Sequence, residues 1–230
     1  GHPRGLATLF MTEFFERFTY YGMRALLVLF LVAATTDANP GFGMDRETAG
    51  AIYGLYTGAV FLFSLPGGWI ADRLIGQRRA VYWGGIIIAI GNFLLAVPGG
   101  PAVFSLGLAT IVIGVGLLKP NISAIVGELY PKGGARKDAG FAIYYMGINV
   151  GAFLSPIFVG YLAQRIGWQY GFLLVTAGMV LGLIQYRTTE GALDDRGLTP
   201  VVPPTAQDWQ KLYFGAALLI GMPVLIGVLQ

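Results

Sequence analysis

The sequence predicts an all-α, polytopic membrane protein, and three observations carry that prediction. Hydrophobic residues make up 55% of the chain and charged residues only 12%, against about 25% charged in soluble domains. The mean hydropathy is +0.66. The apolar residues fall into six runs, each long enough to cross a hydrocarbon core of about 30 Å as a helix, with polar loops between them.

The first span, 8–35, lies in an apolar segment that opens at Gly5 and closes at Thr36, and it carries Glu13, Glu16, Arg17 and Arg24. Only Ala25 to Ala34 is free of charge, too short a stretch to cross alone. A charge at the centre of a spanning helix costs about 2.5–3.5 kcal/mol and marks function by default. At about 100° per residue, Glu13, Glu16, Arg17, Tyr20 and Arg24 share an arc of roughly 100°. That stripe must face other helices or water, while Phe14, Phe15, Phe18, Leu26 and Leu27 give the opposite faces a surface fit for lipid. Glu13 and Arg17 are one turn apart and can pair.

The second span, 48–71, has glycines at 50, 54 and 58 and a natural bend at Pro66-Gly67-Gly68. The third is 80–98. The fourth, 102–127, holds Lys119 beside Pro120; a lone intramembrane lysine needs an anion, and Glu13 or Glu16 is the obvious partner. The fifth, 139–163, places Tyr145 and Asn149 one turn apart. Gly147 and Gly151 on it, and Gly178 and Gly182 on the sixth span, 168–186, have the spacing that lets helices approach closely. Residues 1–187 thus form a six-helix bundle, 188–208 a cytoplasmic linker with Pro200, Pro203 and Pro204, and 209–230 the start of a further helix. The first residue is Gly1 and the last apolar stretch is cut at Gln230, so the chain reads as a piece of a longer protein.

Lys and Arg set the orientation. Arg73, Arg78 and Arg79 follow span two; Lys132, Arg136 and Lys137 follow span four; Arg187 and Arg196 follow span six; Arg4 precedes span one. The alternate loops hold Arg46 and Arg165. The N-terminus is therefore expected in the cytoplasm, and the loop with Asp37, Asn39, Pro40, Gly41 and Asp45 outside. Topology explains the pI of about 9.2 without nucleic acid. The chain has no Cys and one His, His2, which excludes disulfides, thiolate chemistry and a Cys-metal site. No nucleophile–base pair or phosphate loop points to an enzyme. Gly68-Trp69-Ile70-Ala71-Asp72-Arg73 and Gly160-Tyr161-Leu162-Ala163-Gln164-Arg165 end spans two and five on opposite sides, as an inverted three-plus-three repeat would.

Glu13-Phe14-Phe15-Glu16-Arg17-Phe18-Thr19-Tyr20-Tyr21-Gly22 resembles the ExxERFxYYG signature of the proton-dependent oligopeptide transporters. Phe141 to Pro156 resembles that family's fifth-helix signature, and Gly116-Leu117-Leu118-Lys119-Pro120-Asn121 its fourth-helix motif. Gly68 to Arg79 resembles the loop motif of the wider major facilitator superfamily. The resemblance implies an N-terminal six-helix major-facilitator bundle in the bacterial inner membrane. Its partners would be di- and tripeptides, lipid and a C-terminal six-helix bundle of the same protein, with protons as coupling ion and no other cofactor.

By that resemblance, Glu13, Glu16, Arg17 and Lys119 couple protons. Arg24 and Lys119 make a positive patch for a peptide carboxylate. Asn149 contacts the substrate backbone. From their positions, Tyr145 shares the Asn149 face and also contacts substrate, and Tyr20 and Tyr21 line side-chain pockets for it or serve ordinary helix packing. Asp72, Arg73 and Arg79 act as gating charges, or serve only topology. Two positions depart from the family. Gly54 stands where animal members carry a His, and Phe61 stands where many members have a substrate-contacting Tyr. The activity implied is proton-coupled import of di- and tripeptides by alternating access. The alternatives are a related transporter of nitrate or another small anion, and a non-transporting receptor.

Overall fold

A bilayer offers the backbone no water, so every N–H and C=O must be satisfied within its own segment, and the chain answers with helices. The computed structural model describes the backbone through residue 228 and side chains through residue 217; of the seventh apolar stretch, 209–230, residues 229–230 lie outside the described residues. The helices are α1 (Gly5–Val32), α2 (Arg46–Ile70), α3 (Gln77–Ala96), α4 (Gly100–Glu128), α5 (Ala135–Arg165), α6 (Trp168–Thr189) and α7 (Ala206–Val228). Among the described residues five of them, α2 to α6, are long and apolar enough to cross a membrane. The sixth spanning helix expected from the sequence is α1, which at 28 residues has the length but carries the four charges.

The helices pack as α1 on α5 and α6, α4 on α2 and α3, and α3 on α6. Exchanging α1–α3 for α4–α6 turns each of these pairs into another of them or into itself. That is the symmetry an inverted repeat requires.

The lipid-fit face expected on α1 is instead covered. Leu26 and Leu27 are fully buried, Phe15 lies on Gly182, Phe18 on Gly178, and the Phe14 carbonyl on Gly151. Glycines on α5 and α6 leave room for phenylalanines on α1, which therefore sits inside the bundle. Gly50, Gly54 and Gly58, by contrast, approach nothing in the described chain. The close approaches of α4 are made elsewhere: a Cβ on Gly84 would meet the Gly114 carbonyl at 2.8 Å and one on Gly91 the Gly107 carbonyl at 2.8 Å. Each helix of this antiparallel pair thus repeats its glycine after two turns.

Asp45 caps α2, accepting from the Thr48 N–H at 2.8 Å and from the Thr48 hydroxyl at 2.7 Å. Those bonds, the backbone one first, hold its carboxyl below the usual range. The loop between α1 and α2 folds back on the bundle, with the Met44 N–H on the Leu31 carbonyl at 2.9 Å and the Asn39 amide on the Ala163 carbonyl at 2.8 Å.

Pro66 lies inside α2, which ends in a π-helical turn, Ala71–Ile75. Gly76 follows with φ +82°, a conformation that favours glycine. The linker is more structured than its composition predicts. A 3-10 turn, Glu190–Leu193, buries Leu193. The Arg78 N–H then donates to the Gly197 carbonyl at 2.8 Å and the Val202 N–H to the Asp72 carbonyl at 3.2 Å.

Candidate functional site

The charged stripe of α1 meets α2, α4 and α5 inside the bundle. Glu13 and Glu16 are buried almost completely and Arg17 nearly so. Arg17 forks over Glu16, with Nε on Oε2 and Nη2 on Oε1 at 2.6 Å. This two-bond geometry is the one a guanidinium offers a carboxylate. Its Nε also lies 3.3 Å from Glu13 Oε1. Lys119 of α4 donates to the same Glu13 oxygen. The expected four-residue cluster is thus one connected network across two helices. Glu13 and Lys119 each lie about 12–14 Å of helix rise from the ends of α1 and α4 that adjoin the basic loops. The Lys119 side chain is 30% exposed, so one member of the network opens toward the surface of the described chain.

The second oxygen of Glu13 is taken from α5. The Tyr144 hydroxyl donates to Oε2 at 2.7 Å. Tyr144 is a residue that sequence reasoning passes over in favour of its neighbour Tyr145. A signal was present: Tyr144, Gly147, Gly151 and Ser155 recur at helical spacing, and the glycines mark the face of α5 turned to α1.

Toward the other end of α1, Arg24 donates to the Tyr53 hydroxyl of α2 and lies over the Tyr53 ring at 5.0 Å. Tyr20 is shared between the two arginines. Arg17 lies 4.5 Å above its centroid and Arg24 5.3 Å, within cation–π range. Tyr20 also stacks on Tyr56 at 6.5 Å. Tyr21, half-buried, packs edge-on to Tyr20 at 5.4 Å. Tyr53 and Tyr56 were not foreseen, because beyond its first turn, with Arg46 and Glu47, α2 carries no charge to mark their face. The two cations of the expected carboxylate patch have separate partners here: Lys119 holds Glu13, and Arg24 holds Tyr53 about 16 Å further along α1.

Tyr145 and Asn149 share an exposed face of α5, with the Asn149 amide on the Tyr145 carbonyl at 3.0 Å. Phe61 is 73% exposed on α2. At the basic end, Asp72 receives the linker through its carbonyl, and its carboxylate has a long contact of 3.5 Å from Gln77 Nε2. Arg73 is half-buried and Arg79 exposed. The buried arginine of that loop is Arg78, whose Nη1 donates to the Asp194 carbonyl at 2.8 Å and whose Nη2 lies 3.4 Å from Glu190. Among the described residues no group of three metal-ligating side chains occurs.

A helical bundle with a buried network of acids and bases at its centre defines a multi-pass membrane protein that keeps charge where lipid forbids it. Comparison with known proteins places it more narrowly. The model of the POT family matches residues 78–207, and the chain belongs to that family. It is 49% identical over 189 residues to the uncharacterized transporter YclF of Bacillus subtilis strain 168, covering 82% of this chain and 38% of that one. It is 47% identical over 186 residues to a di-/tripeptide transporter of Lactococcus lactis subsp. lactis strain IL1403, covering 81% of this chain and 37% of that one. A crystal structure of a peptide transporter POT in complex with sulfate superposes with a TM-score of 0.90 at 45% identity, over 100% of this chain and 46% of that one. The chain therefore spans less than half the length of the relatives it matches.

Proposed function

We propose that this chain supplies the proton-responsive half of a symporter that imports di- and tripeptides by alternating access. One observation carries the reading: Glu13 of α1 bridges to Lys119 of α4 beside the Glu16–Arg17 pair, so that one oxygen of one carboxylate ties two helices through a hydrogen-bonded ion pair. Protonating a carboxylate in such a network removes the Coulomb attraction that holds the cation, and the helices it joined are free to move. A buried pair is also costly to break from one side, about 3–5 kcal/mol, which makes it a strong latch while both charges persist.

The cycle follows from these parts. A proton and a peptide enter a cavity open to the outside. Protonation of Glu13 or Glu16 releases Lys119 or Arg17. The bundles rock, and both cargoes leave inside. Arg24, with Tyr20 and Tyr21 beside it, offers a guanidinium to a substrate carboxylate, and the exposed Tyr145, Asn149 and Phe61 line the same cavity. The other wall belongs to a C-terminal bundle. Protons are the coupling ion, no cofactor takes part, and no bond in the peptide is made or broken. The proposed setting is the bacterial inner membrane with the N-terminus inside, a reading the Lys and Arg distribution supports. The likeness to the di-/tripeptide transporter of Lactococcus lactis supports the choice of cargo.

The test is uptake of labelled dialanine by liposomes containing the full-length protein under an inward pH gradient. Accumulation above the external concentration that collapses with the gradient is the expected result. No accumulation, or full suppression by equimolar nitrate, would turn the reading toward a small-anion carrier; binding of dialanine without flux would turn it toward a receptor.

A further inference from the structure

Glu13 is held by two kinds of partner. Its Oε1 faces cations, Lys119 of α4 and Arg17 at 3.3 Å. Its Oε2 accepts from a neutral hydroxyl, Tyr144 of α5, at 2.7 Å. Tyr144 and Glu13 have no exposed surface. A second oxygen stands beside that hydroxyl: Ser123 Oγ of α4 lies 3.4 Å from it and has the Lys119 carbonyl 3.3 Å away for its own proton. The remaining charged or titratable groups near the network, among the described residues, are Glu16, Tyr20, Tyr21 and Arg24 on α1, Tyr53 and Tyr56 on α2, and Tyr145 on α5, whose ring lies 5.7 Å from that of Tyr144. From α6 comes Gln185, whose amide oxygen accepts from Thr12 at 3.1 Å.

The two kinds of partner answer a proton differently. An ammonium has donors only, and so has a guanidinium. When Glu13 becomes neutral, both lose the anion they held. A hydroxyl donates and accepts. It can give its proton to a charged carboxylate and take a hydrogen bond from a neutral one.

We propose that Tyr144 is a positioning residue for proton coupling, holding Glu13 to α5 in both protonation states so that proton uptake releases α4 alone. This rests on the reading above, in which Glu13 takes up the proton. In atoms, the arriving proton binds Glu13 Oε2 and is donated to the Tyr144 oxygen. The Tyr144 O–H turns from Oε2 to Ser123 Oγ. Lys119 keeps its three protons and loses its anion. The α1–α5 contact, already tight through Gly147 and Gly151, stays closed while the α1–α4 contact opens. The structure thereby assigns which helix pair moves.

The experiment is dialanine uptake by the full-length protein in liposomes across a series of external pH values, each variant normalised to its own maximum. Tyr144→Phe keeps the ring and deletes a hydrogen bond to the charged carboxylate, so half-maximal uptake moves to higher pH by about one unit. Ser123→Ala deletes the acceptor that serves the neutral state, so half-maximal uptake moves to lower pH. Shifts of opposite sign support the proposal. Profiles that superimpose on the wild type, or shifts in the same direction, overturn it. Where Tyr144→Phe yields no folded protein, the direction of the Ser123→Ala shift decides. A wild-type protein that accumulates no dialanine is a different result and overturns the proposed function instead.

Discussion

At the scale of the residue, the central facts are that among the described residues Glu13 has three partners from three helices and Glu16 has one, Arg17. This division predicts different consequences for neighbouring substitutions. Glu16→Gln removes the charge that Arg17 chelates and is expected to abolish proton-driven accumulation while sparing counterflow exchange of labelled for unlabelled dipeptide. Full accumulation by that variant would remove Glu16 from the coupling mechanism. Lys119→Ala is expected to do the same and also to lower thermal stability, because it leaves a carboxylate buried without its main cation, a change that costs about 3–5 kcal/mol where no other partner compensates. A melting curve in detergent beside the exchange assay separates the two effects. The sequence displayed the acids and bases of this network openly, because charge inside an apolar run has few innocent explanations. It hid the neutral partners. Tyr144, Tyr53 and Tyr56 are ordinary membrane residues until a neighbouring helix brings a charge to them.

At the scale of the element, glycine decides which helices touch. Gly147, Gly151, Gly178 and Gly182 were legible from their four-residue spacing, and all four meet α1. Gly50, Gly54 and Gly58 have the same spacing and meet nothing described, since spacing identifies a smooth face without saying what lies against it. The Gly84–Gly114 and Gly91–Gly107 contacts escaped notice because their repeat is two turns rather than one. Gly84→Leu is therefore expected to lower stability by at least 1–3 kcal/mol, since its side chain would drive into the α4 backbone, whereas Gly54→Leu leaves the melting temperature of the protein nearly unchanged if that face lines a cavity. Equal melting curves for wild type and Gly84→Leu would show that α3 and α4 do not pack as described. The linker teaches a related lesson. Its prolines marked it only as a linker, yet Arg78 reaches Asp194 and Glu190 and the main chain of 197 and 202 bonds back to α3 and the π-turn. Arg78→Ala is expected to raise protease sensitivity at residues 194–205, visible as a new early fragment in limited digestion. A digestion pattern identical to wild type would leave the linker held by its main-chain bonds alone.

At the scale of the whole molecule, the helix junctions of the bundle are of two kinds, close-packed and ionic. The packing pattern survives exchange of its two halves, and glycine contacts lock α3 to α4 and α5 to α1. The α1–α4 junction instead depends on an ion pair between Glu13 and Lys119. The six-helix architecture followed from composition and hydropathy, while the interior position of α1 did not, because a phenylalanine facing a glycine looks in sequence like one facing lipid. The proposed coupling requires Glu13 to change charge when transport occurs. The direct measurement is the infrared difference spectrum of the full-length protein between neutral and acid pH, compared with that of Glu13→Gln. The account predicts a carboxylic-acid band that rises over the same pH range as dialanine uptake and is missing from the variant. A band unchanged by Glu13→Gln, with Glu13 remaining ionised through the range in which uptake rises, would contradict it.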